Sequence, residues 1–291
     1  MKMKPILGAC LAAMVFAACS KDDFSAIENT QDKLNVITSI DALSRAPQLN
    51  ENGSGHFNSG DKYTLFFSST DGQKFIKGFE YTHGKEHHWI DVQIPAGNKQ
   101  ARIAASYPTI SAASKEAASA YKWNVLTSRP TNDLLLAAPV TATVNSTDPI
   151  ELNFAHALHK FQVNLKGDSQ LLSGATITCK DFKPEAVINL LEGKATGASG
   201  SLASQKVTGK TAAFILPAQA VEKMEVVFHV NGQDHSFKLS ECTVNDRPLT
   251  ELKSGMKLEL NVTVDKGGFT ITGQNISAWG EQGSANGNII L

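Results

Sequence analysis

The sequence has no excess of charge and little cysteine outside its N-terminal leader, and both shortages exclude classes of protein. Its 27 Lys and Arg are matched by 28 Asp and Glu, so there is no basic footprint and we expect no nucleic-acid partner. Of the four cysteines, Cys10 and Cys19 lie in the leader. The other two, Cys179 and Cys242, are too few for a disulfide framework; they either pair with each other or stay as buried thiols.

Sequence motifs of catalysis are absent as well. The chain contains no GxSxG, HExxH, Walker or GxGxxG motif, and its carboxylates are scattered on polar strand faces where solvation explains them. We therefore expect no enzyme, no catalytic residues and no cofactor.

One cluster has the ligand types of a zinc site, because His83, His87 and His88 lie close to Glu86 in the sequence. Gly84 falls between them, and on a strand the adjacent His87 and His88 would point to opposite faces. The spacing favours a solvated hairpin tip, so we expect no metal.

Residues 1–19 have the pattern of a secretory leader. Lys2 and Lys4 precede an apolar run, residues 6–18, that is too short to span a bilayer comfortably. The run ends in FAAC, which looks like a bacterial lipobox with Phe16 in place of the usual leucine. We expect acylation of Cys19; ordinary cleavage that leaves Cys19 as a free thiol is the alternative.

Residues 20–35 read as a flexible polar tether. Its first residues, SKDD, resemble an acidic tag that directs lipoproteins to the outer face of the membrane. A plain solvated linker is the alternative.

The rest of the chain has the patterns of short β-strands. Residues 256–264 alternate apolar and polar side chains, Asn231-Gly232 is a hairpin signal, and residues 88–94 alternate in the same way. The alanine-rich residues 110–123 are an exception, and they predict either a short helix capped by Ser111 or Ser114 or a long loop. Short strands punctuated by Gly and Pro predict an all-β protein made of β-sandwiches.

Two alternating strands meet near the middle of the chain. Their apolar positions are Ile150, Leu152 and Phe154 before a short bridge, and Phe161, Val163 and Leu165 after it. We interpret this stretch as the handover between two β-domains, residues 36–153 and 154–291. The bridge contains His156 and His159, for which we expect packing at an interface rather than catalysis.

Five segments in one order carry a family resemblance. They are DLLLA (133–137), FAHALHK (154–160), LPAQ (216–219), LKSGMKLELNVTV (252–264) and ISAWGEQG (276–283). In this order they resemble the fimbrillin family, the fimbrial subunits of anaerobic Gram-negative gut and oral bacteria.

The resemblance implies two tandem β-sandwich domains of the transthyretin-like, Greek-key type behind a lipoprotein signal peptide. It also implies donor-strand exchange after proteolysis. Residues 34–43 predict a strand with Val36, Thr38 and Ile40 on one side, and a turn-rich stretch with one arginine follows. That layout places cleavage between Arg45 and Ala46, although Arg45 is otherwise simply a loop arginine. The donor candidate is the last strand, Gly287, Asn288, Ile289, Ile290 and Leu291.

The same resemblance implies a set of partners and a location. The partners are other fimbrial subunits, a processing protease, the outer membrane through the acyl chains on Cys19, and a ligand on a host or bacterial surface. The location is the cell surface, within a fimbrium.

Two alternatives to a filament subunit stay open from the sequence. A tip or accessory subunit would cap the filament instead of extending it. A monomeric surface lipoprotein would bind glycans by stacking them on Trp89, Trp123 or Trp279. Tryptophans in strand-rich domains are more often in the core, so we rank the second alternative lower.

We predict that Cys19→Ala abolishes acylation and releases the precursor from the membrane, because two acyl chains are needed for stable anchoring. The measurement is fractionation of cells that express either chain. A variant that stays with the outer membrane as the wild type does would show that the lipid is not the anchor.

Overall fold

The computed structural model describes residues 33–40, 55–127, 133–244 and 247–265, together with the backbone of residues 268–278 and 289–290. This part of the chain is nearly all β-structure, as the sequence predicted. No helix within it is long and apolar enough to cross a membrane.

In the described part of the chain the strands follow in order, with two short helices and one 3₁₀ turn between them. The strands of the first half are β1 Val36–Ile40, β2 Lys62–Ser68, β3 Phe75–Thr82, β4 Gln100–Tyr107, β5 Tyr121–Asn124, β6 Leu135–Thr143 and β7 Ile150–His156. Those of the second half are β8 His159–Gly167, β9 Thr176–Phe182, β10 Glu185–Asn189, β11 Lys194–Ser199, β12 Ala203–Thr208, β13 Thr211–Leu216, β14 Gln219–Ala220, β15 Glu225–Val230, β16 Gln233–Lys238, β17 Thr243–Val244, β18 Arg247–Pro248, β19 Glu251–Leu252, β20 Met256–Asp265, β21 Gly268–Ala278 and β22 Ile289–Ile290. The helices are α1 Trp89–Val92 and α2 Lys115–Ser119, and the 3₁₀ turn is Leu239–Glu241.

The longer strands form four sheets. A six-stranded sheet has the order β1-β7-β6-β4-β2-β3, and a five-stranded sheet has the order β13-β8-β20-β21-β22. A four-stranded sheet, β12-β9-β15-β16, and a three-stranded sheet, β11-β10-β5, complete the set, with two small ladders beside them.

The central handover predicted from the sequence is present as a change of sheet. β7 lies between β1 and β6, and β8 lies between β13 and β20. Only Ala157 and Leu158 connect β7 to β8, and both are buried. Both strands bury alternate residues, as period-2 patterning requires.

The six-stranded sheet contributes to two buried clusters, one from each of its faces. On β2, Tyr63, Leu65 and Phe67 belong to one cluster, whereas Phe66 belongs to the other. Successive side chains of a strand point to opposite faces, so β2 is covered on both sides. Phe66 and Leu136 share their cluster with side chains of the second half such as Phe161.

The predicted division after Asn153 stays a prediction. β7 runs across that position, and β5 pairs with β10 in a sheet shared by the two halves of the sequence.

The prediction of a strand at residues 88–94 is wrong, because the segment contains the one-turn helix α1. Trp89 and Val92, three residues apart, both face the core, while Ile90 is 72% exposed. The indole N–H of Trp89 donates to the Ser146 carbonyl at 2.9 Å, and Asp91 accepts from the backbone N–H of His88 at 2.9 Å. Burial of the Trp89 ring and capping of its turn stabilise the helix more than the alternation of apolar and polar residues stabilises a strand here.

The short helix predicted in residues 110–123 is confirmed as α2. Ser114 is its N-cap, and its hydroxyl accepts a hydrogen bond from the Ala117 N–H at 3.2 Å. Helix ends leave N–H groups without partners, and serine is well suited to satisfy one.

The two halves touch closely at the turn between β10 and β11. Gly193 has a φ of 58°, and a Cβ there would overlap the carbonyl oxygen of Ala137 on β6. Arg102 of β4 forms an ion pair with Glu192 in the same turn at 3.1 Å.

We predict that Gly193→Ala lowers the free energy of unfolding by about 2 kcal/mol or more, from left-handed strain plus steric overlap. Gly174→Ala is the matched control, since Gly174 has a φ of 71° and open space around its Cβ position. Urea denaturation should show a clearly larger loss for Gly193→Ala. Equal losses would mean that the close approach to Ala137 has no cost.

Candidate functional site

The candidate site is the edge of the six-stranded sheet that β1 occupies. β1 pairs in parallel with β7, from Val36 opposite Ile150 to Ile40 opposite Phe154. Among the described residues, β7 is the one strand that pairs with β1 in this sheet, and a bridge joins Ile40 to Gly55. Such an edge strand is held by half of its backbone hydrogen-bonding groups.

The inward side of β1 is apolar, as its alternation predicted. Leu34, Val36 and Ile40 are buried in the core cluster, while Ile37 on the other side is 50% exposed. The buried side chains, more than the one-sided ladder, therefore hold β1 in place.

An aromatic group belongs to the same buried cluster as β1. The ring of Phe154 lies 5.0 Å from Phe57 and 5.5 Å from Tyr63 between centroids, and Tyr63 stacks on Tyr81 at 5.1 Å. Burial raises the pKa of the Tyr63 phenol far above its ordinary value, so it stays protonated. Burial raises the pKa of the Tyr81 phenol, and the neighbouring backbone of Val36 on β1 acts in the opposite direction.

Sequence reasoning missed Phe57, which lies in the turn-rich stretch that follows the strand predicted at residues 34–43. It is almost fully buried among the aromatic rings described above. The signal that could have found it is a lone large aromatic in an otherwise polar loop.

The histidine cluster anchors the start of β1. The backbone N–H of Leu34 donates to the His87 carbonyl at 2.8 Å, and Lys33 forms a bridge with His88. The imidazole of His87 packs on Tyr81 with a centroid distance of 4.4 Å. The solvated hairpin tip predicted for this cluster is only partly exposed, because His83 and His87 are half-buried against the aromatic rings.

No group of three or more His, Cys, Asp or Glu side chains in the described ranges is arranged to hold a metal ion.

Most of the predicted processing residues lie outside the described residues. Cys19 does, and so do Arg45 and Ala46, which fall in the stretch 41–54 between β1 and Gly55. Of the donor candidate, Gly287, Asn288 and Leu291 are likewise outside, whereas Ile289–Ile290 form β22. β22 pairs with β21 at Thr270 and Ile271, so it is the edge of the five-stranded sheet.

Three of the segments that carried the family resemblance meet where β7 passes into β8. Asp133 of DLLLA lies 2.8 Å from Nδ1 of His156 in the HAL segment. His159 Nδ1 is 3.0 Å from the Lys253 carbonyl, and the N–H of Gly255 donates to the Leu158 carbonyl at 2.8 Å. Both histidines are buried, as expected for interface packing.

Burial governs the charge of these histidines. It lowers the pKa of His156 even though the carboxylate of Asp133 works in the opposite direction. It lowers the pKa of His159 to about 4. A buried imidazole loses hydration when charged, so both rings are neutral at pH 7.

The two described tryptophans are unavailable for glycan stacking. Trp89 and Trp123 are both buried in the core clusters, and Trp279 lies outside the described residues. This removes two of the three side chains on which the tryptophan-based alternative depended.

Cys179 and Cys242 are free thiols, and both are buried. Burial raises the pKa of each to about 12, so neither is a thiolate at neutral pH. The sequence left open whether the two cysteines form a disulfide or stay as buried thiols, and in the structure they are buried thiols.

Comparison with known proteins gives a family match over most of the chain. The family model described as fimbrillin-like matches residues 44–279. No curated protein matches the chain.

Solved structures share the fold at low sequence identity. A candidate cell adhesion protein from Bacteroides uniformis superposes with a TM-score of 0.59 at 18% identity, over 85% of this chain and 98% of that one. A candidate cell adhesion protein from Bacteroides ovatus gives 0.58 at 18% identity, over 85% and 98%. The tip fimbrial protein Mfa3 from Porphyromonas gingivalis, truncated at its C-terminus, gives 0.51 at 7% identity, over 76% and 95%.

We predict that the fold loses stability as the pH falls from 6.5 towards 4, partly through His159. Its pKa is lowered from 6.5 to about 4 in the folded chain, so the unfolded chain binds the proton more tightly in this range. At about 1.4 kcal/mol per pKa unit, the loss reaches on the order of 3 kcal/mol at the acid end.

Urea midpoints measured at several pH values test this prediction. His159→Asn, which retains a side-chain N–H donor for the Lys253 carbonyl but does not titrate in this range, should show a shallower pH dependence than the wild type. Identical slopes for the two chains would contradict the role of His159.

Proposed function

The chain belongs to the fimbrillin-like family, and from that premise we propose that it is a structural subunit of a cell-surface fimbria. In this proposal it is exported as a lipoprotein precursor and held at the outer membrane by acyl chains on Cys19. Cleavage between Arg45 and Ala46 then allows donor-strand exchange at the edge that β1 occupies. The assembled filament serves adhesion to a host or bacterial surface.

The observation that carries the proposal is the placement of β1. It is an edge strand with an apolar inward side, and Arg45 lies in the stretch that joins it to Gly55. Removing β1 would expose one edge of β7 and the aromatic rings beneath it. An open edge over an apolar floor is a surface that another extended strand can fill by β-augmentation.

The free energy gained by burying the side chains of β1 supports a requirement for proteolysis. Three buried side chains, Leu34, Val36 and Ile40, contribute roughly 5–9 kcal/mol at about 1.5–3 kcal/mol each, as an upper bound. While β1 is tethered it returns to its place faster than a neighbour's strand can replace it. After cleavage the competition is between two separate strands, and the better fit wins.

The C-terminal strand is a suitable donor on the same grounds. Within the described residues β22 pairs with β21 at two positions, whereas β1 pairs with β7 at five. A strand that leaves one copy and fills the next makes a head-to-tail contact that does not close, and repetition of that contact grows a filament.

Gating by Arg45 is tested by treating the purified precursor with an Arg-specific protease. We expect a chain that begins at Ala46 together with SDS-resistant ladders, and neither product from Arg45→Ala. Ladders from uncut Arg45→Ala would exclude the gate. Clean cleavage that leaves only monomers would exclude exchange at this edge.

A disulfide lock separates cleavage from exchange. Ser39 and Asn153 are register partners on β1 and β7, and their side chains are 3.0 Å apart. The double variant Ser39→Cys, Asn153→Cys should be cut at Arg45 but form ladders only after reduction. Ladders from the oxidised variant would show that β1 does not have to leave.

A further inference from the structure

β9 to β12 form one long hairpin that passes from one sheet to another. β9 pairs with β12 in the four-stranded sheet, and β10 pairs with β11 in the three-stranded sheet. The change of sheet takes place at residues 183–184 on one arm and at residues 200–202 on the other. Asp181 just before the corner has a φ of 60°, and the pairing of β9 with β12 shifts register beside it. Bulges of this kind commonly make such corners and redirect side chains.

A groove of about 620 Å³ lies between this corner and residues 218–223. Its walls include the small residues Gly197, Ala198, Ser201 and Ala218, and Leu202 at its rim is 50% exposed. This volume is within the range of sites that hold small molecules.

One wall of the groove is fixed by the LPAQ segment. The Gln219 side chain accepts from the Lys183 N–H at 2.8 Å and donates to the Lys183 carbonyl at 3.2 Å. It also donates to the Pro217 carbonyl at 3.2 Å. These bonds hold the corner and the LPAQ segment together, so the groove is formed before any ligand arrives.

Four charged side chains border the groove, namely Asp181, Lys183, Glu222 and Lys223. Within the described ranges, none of these side chains makes a hydrogen bond or an ion pair. Charged side chains without a partner are common on protein surfaces. Two acids and two lysines around one preformed groove, however, provide both acceptors and donors with no net charge.

We propose that this groove binds a short, uncharged saccharide. Vicinal hydroxyl groups donate to carboxylates and accept from ammonium groups, which matches the mixed border. The C–H face of a sugar ring fits the apolar surface of Leu202 and the alanines. A border without net charge gives no advantage to an anionic or cationic ligand. This site is distinct from the β1 edge and does not depend on polymerisation.

Gly197 offers a direct block of the groove. It lies in β11 opposite Val187 of β10, and a Cβ placed on it meets nothing within 4 Å. Its φ lies outside the left-handed region, so a side chain can be added without backbone strain. Gly197→Trp should fill the groove while the thermal melting temperature stays at or above that of the wild type.

The probes are methyl glucoside, methyl galactoside, methyl mannoside and N-acetylglucosamine, with glucuronate and glucosamine as charged counterparts. We expect saturation-transfer NMR signals from at least one neutral sugar at about 10 mM, in the range of weak single-site affinities. The full chain purified in detergent is used throughout. The saturation-transfer signal with Gly197→Trp should be at least about tenfold weaker than with the wild type.

Charge-removing variants test the polar border. Asp181→Asn retains a residue tolerant of positive φ, and Glu222→Gln retains size. Each should weaken binding about tenfold, as expected for the loss of a charged hydrogen bond. Lys206 is exposed on β12 and lies outside the groove, so Lys206→Gln is the control and should bind like the wild type.

Three results would overturn the proposal. The first is no signal from any neutral sugar on the wild type. The second is unchanged binding by a folded Gly197→Trp variant. The third is preference for glucuronate or glucosamine over every neutral sugar, since this would mean a ligand of a different charge class.

Discussion

Everything else in this fold depends on the two-residue connection between β7 and β8. Ala157 and Leu158 join β7, a strand inside the six-stranded sheet, to β8, a strand inside the five-stranded sheet. The connection is held on both sides, by the Ala157 N–H to the Leu134 carbonyl and by the Gly255 N–H to the Leu158 carbonyl. The neutral, buried His156 and His159 pack beside it, and a neutral ring can be buried there without the cost of an unhydrated charge.

This arrangement places the two terminal strands in contrasting positions. β1 covers β7, the strand that continues into the central connection, and its inward side chains are buried. β22 lies at the far edge of the five-stranded sheet and pairs over two residues. In the proposed assembly, the strand that is displaced is therefore the one whose inward side chains are buried, and the strand that replaces it in a neighbour comes from the other end of the chain.

The proposed saccharide groove lies in a part of the molecule that the proposed strand exchange does not use. It depends on the corner of the β9–β12 hairpin and on Gln219, whereas the proposed assembly uses β1 and β22. The same hairpin also reaches the other half of the chain, because its turn at Gly193 packs against Ala137. One long hairpin therefore joins the two halves at its turn and forms a groove at its corner.

The sequence by itself determined the all-β class, the two alternating strands within residues 150–165, the inward side of β1 and the family. These follow from period-2 alternation and local motifs, which act over a few residues. Only the tertiary structure decided the rest. Residues 88–94 alternate like a strand, yet they contain the helix Trp89–Val92. The Trp89 indole is buried there and donates to the carbonyl of Ser146, 57 positions away. Cys179 and Cys242 stay apart, and Asp181 and Glu222 border one groove, because sheet order brings distant segments together or keeps them separate. Alternation predicts which face of a strand is buried, but not which strand will lie against it.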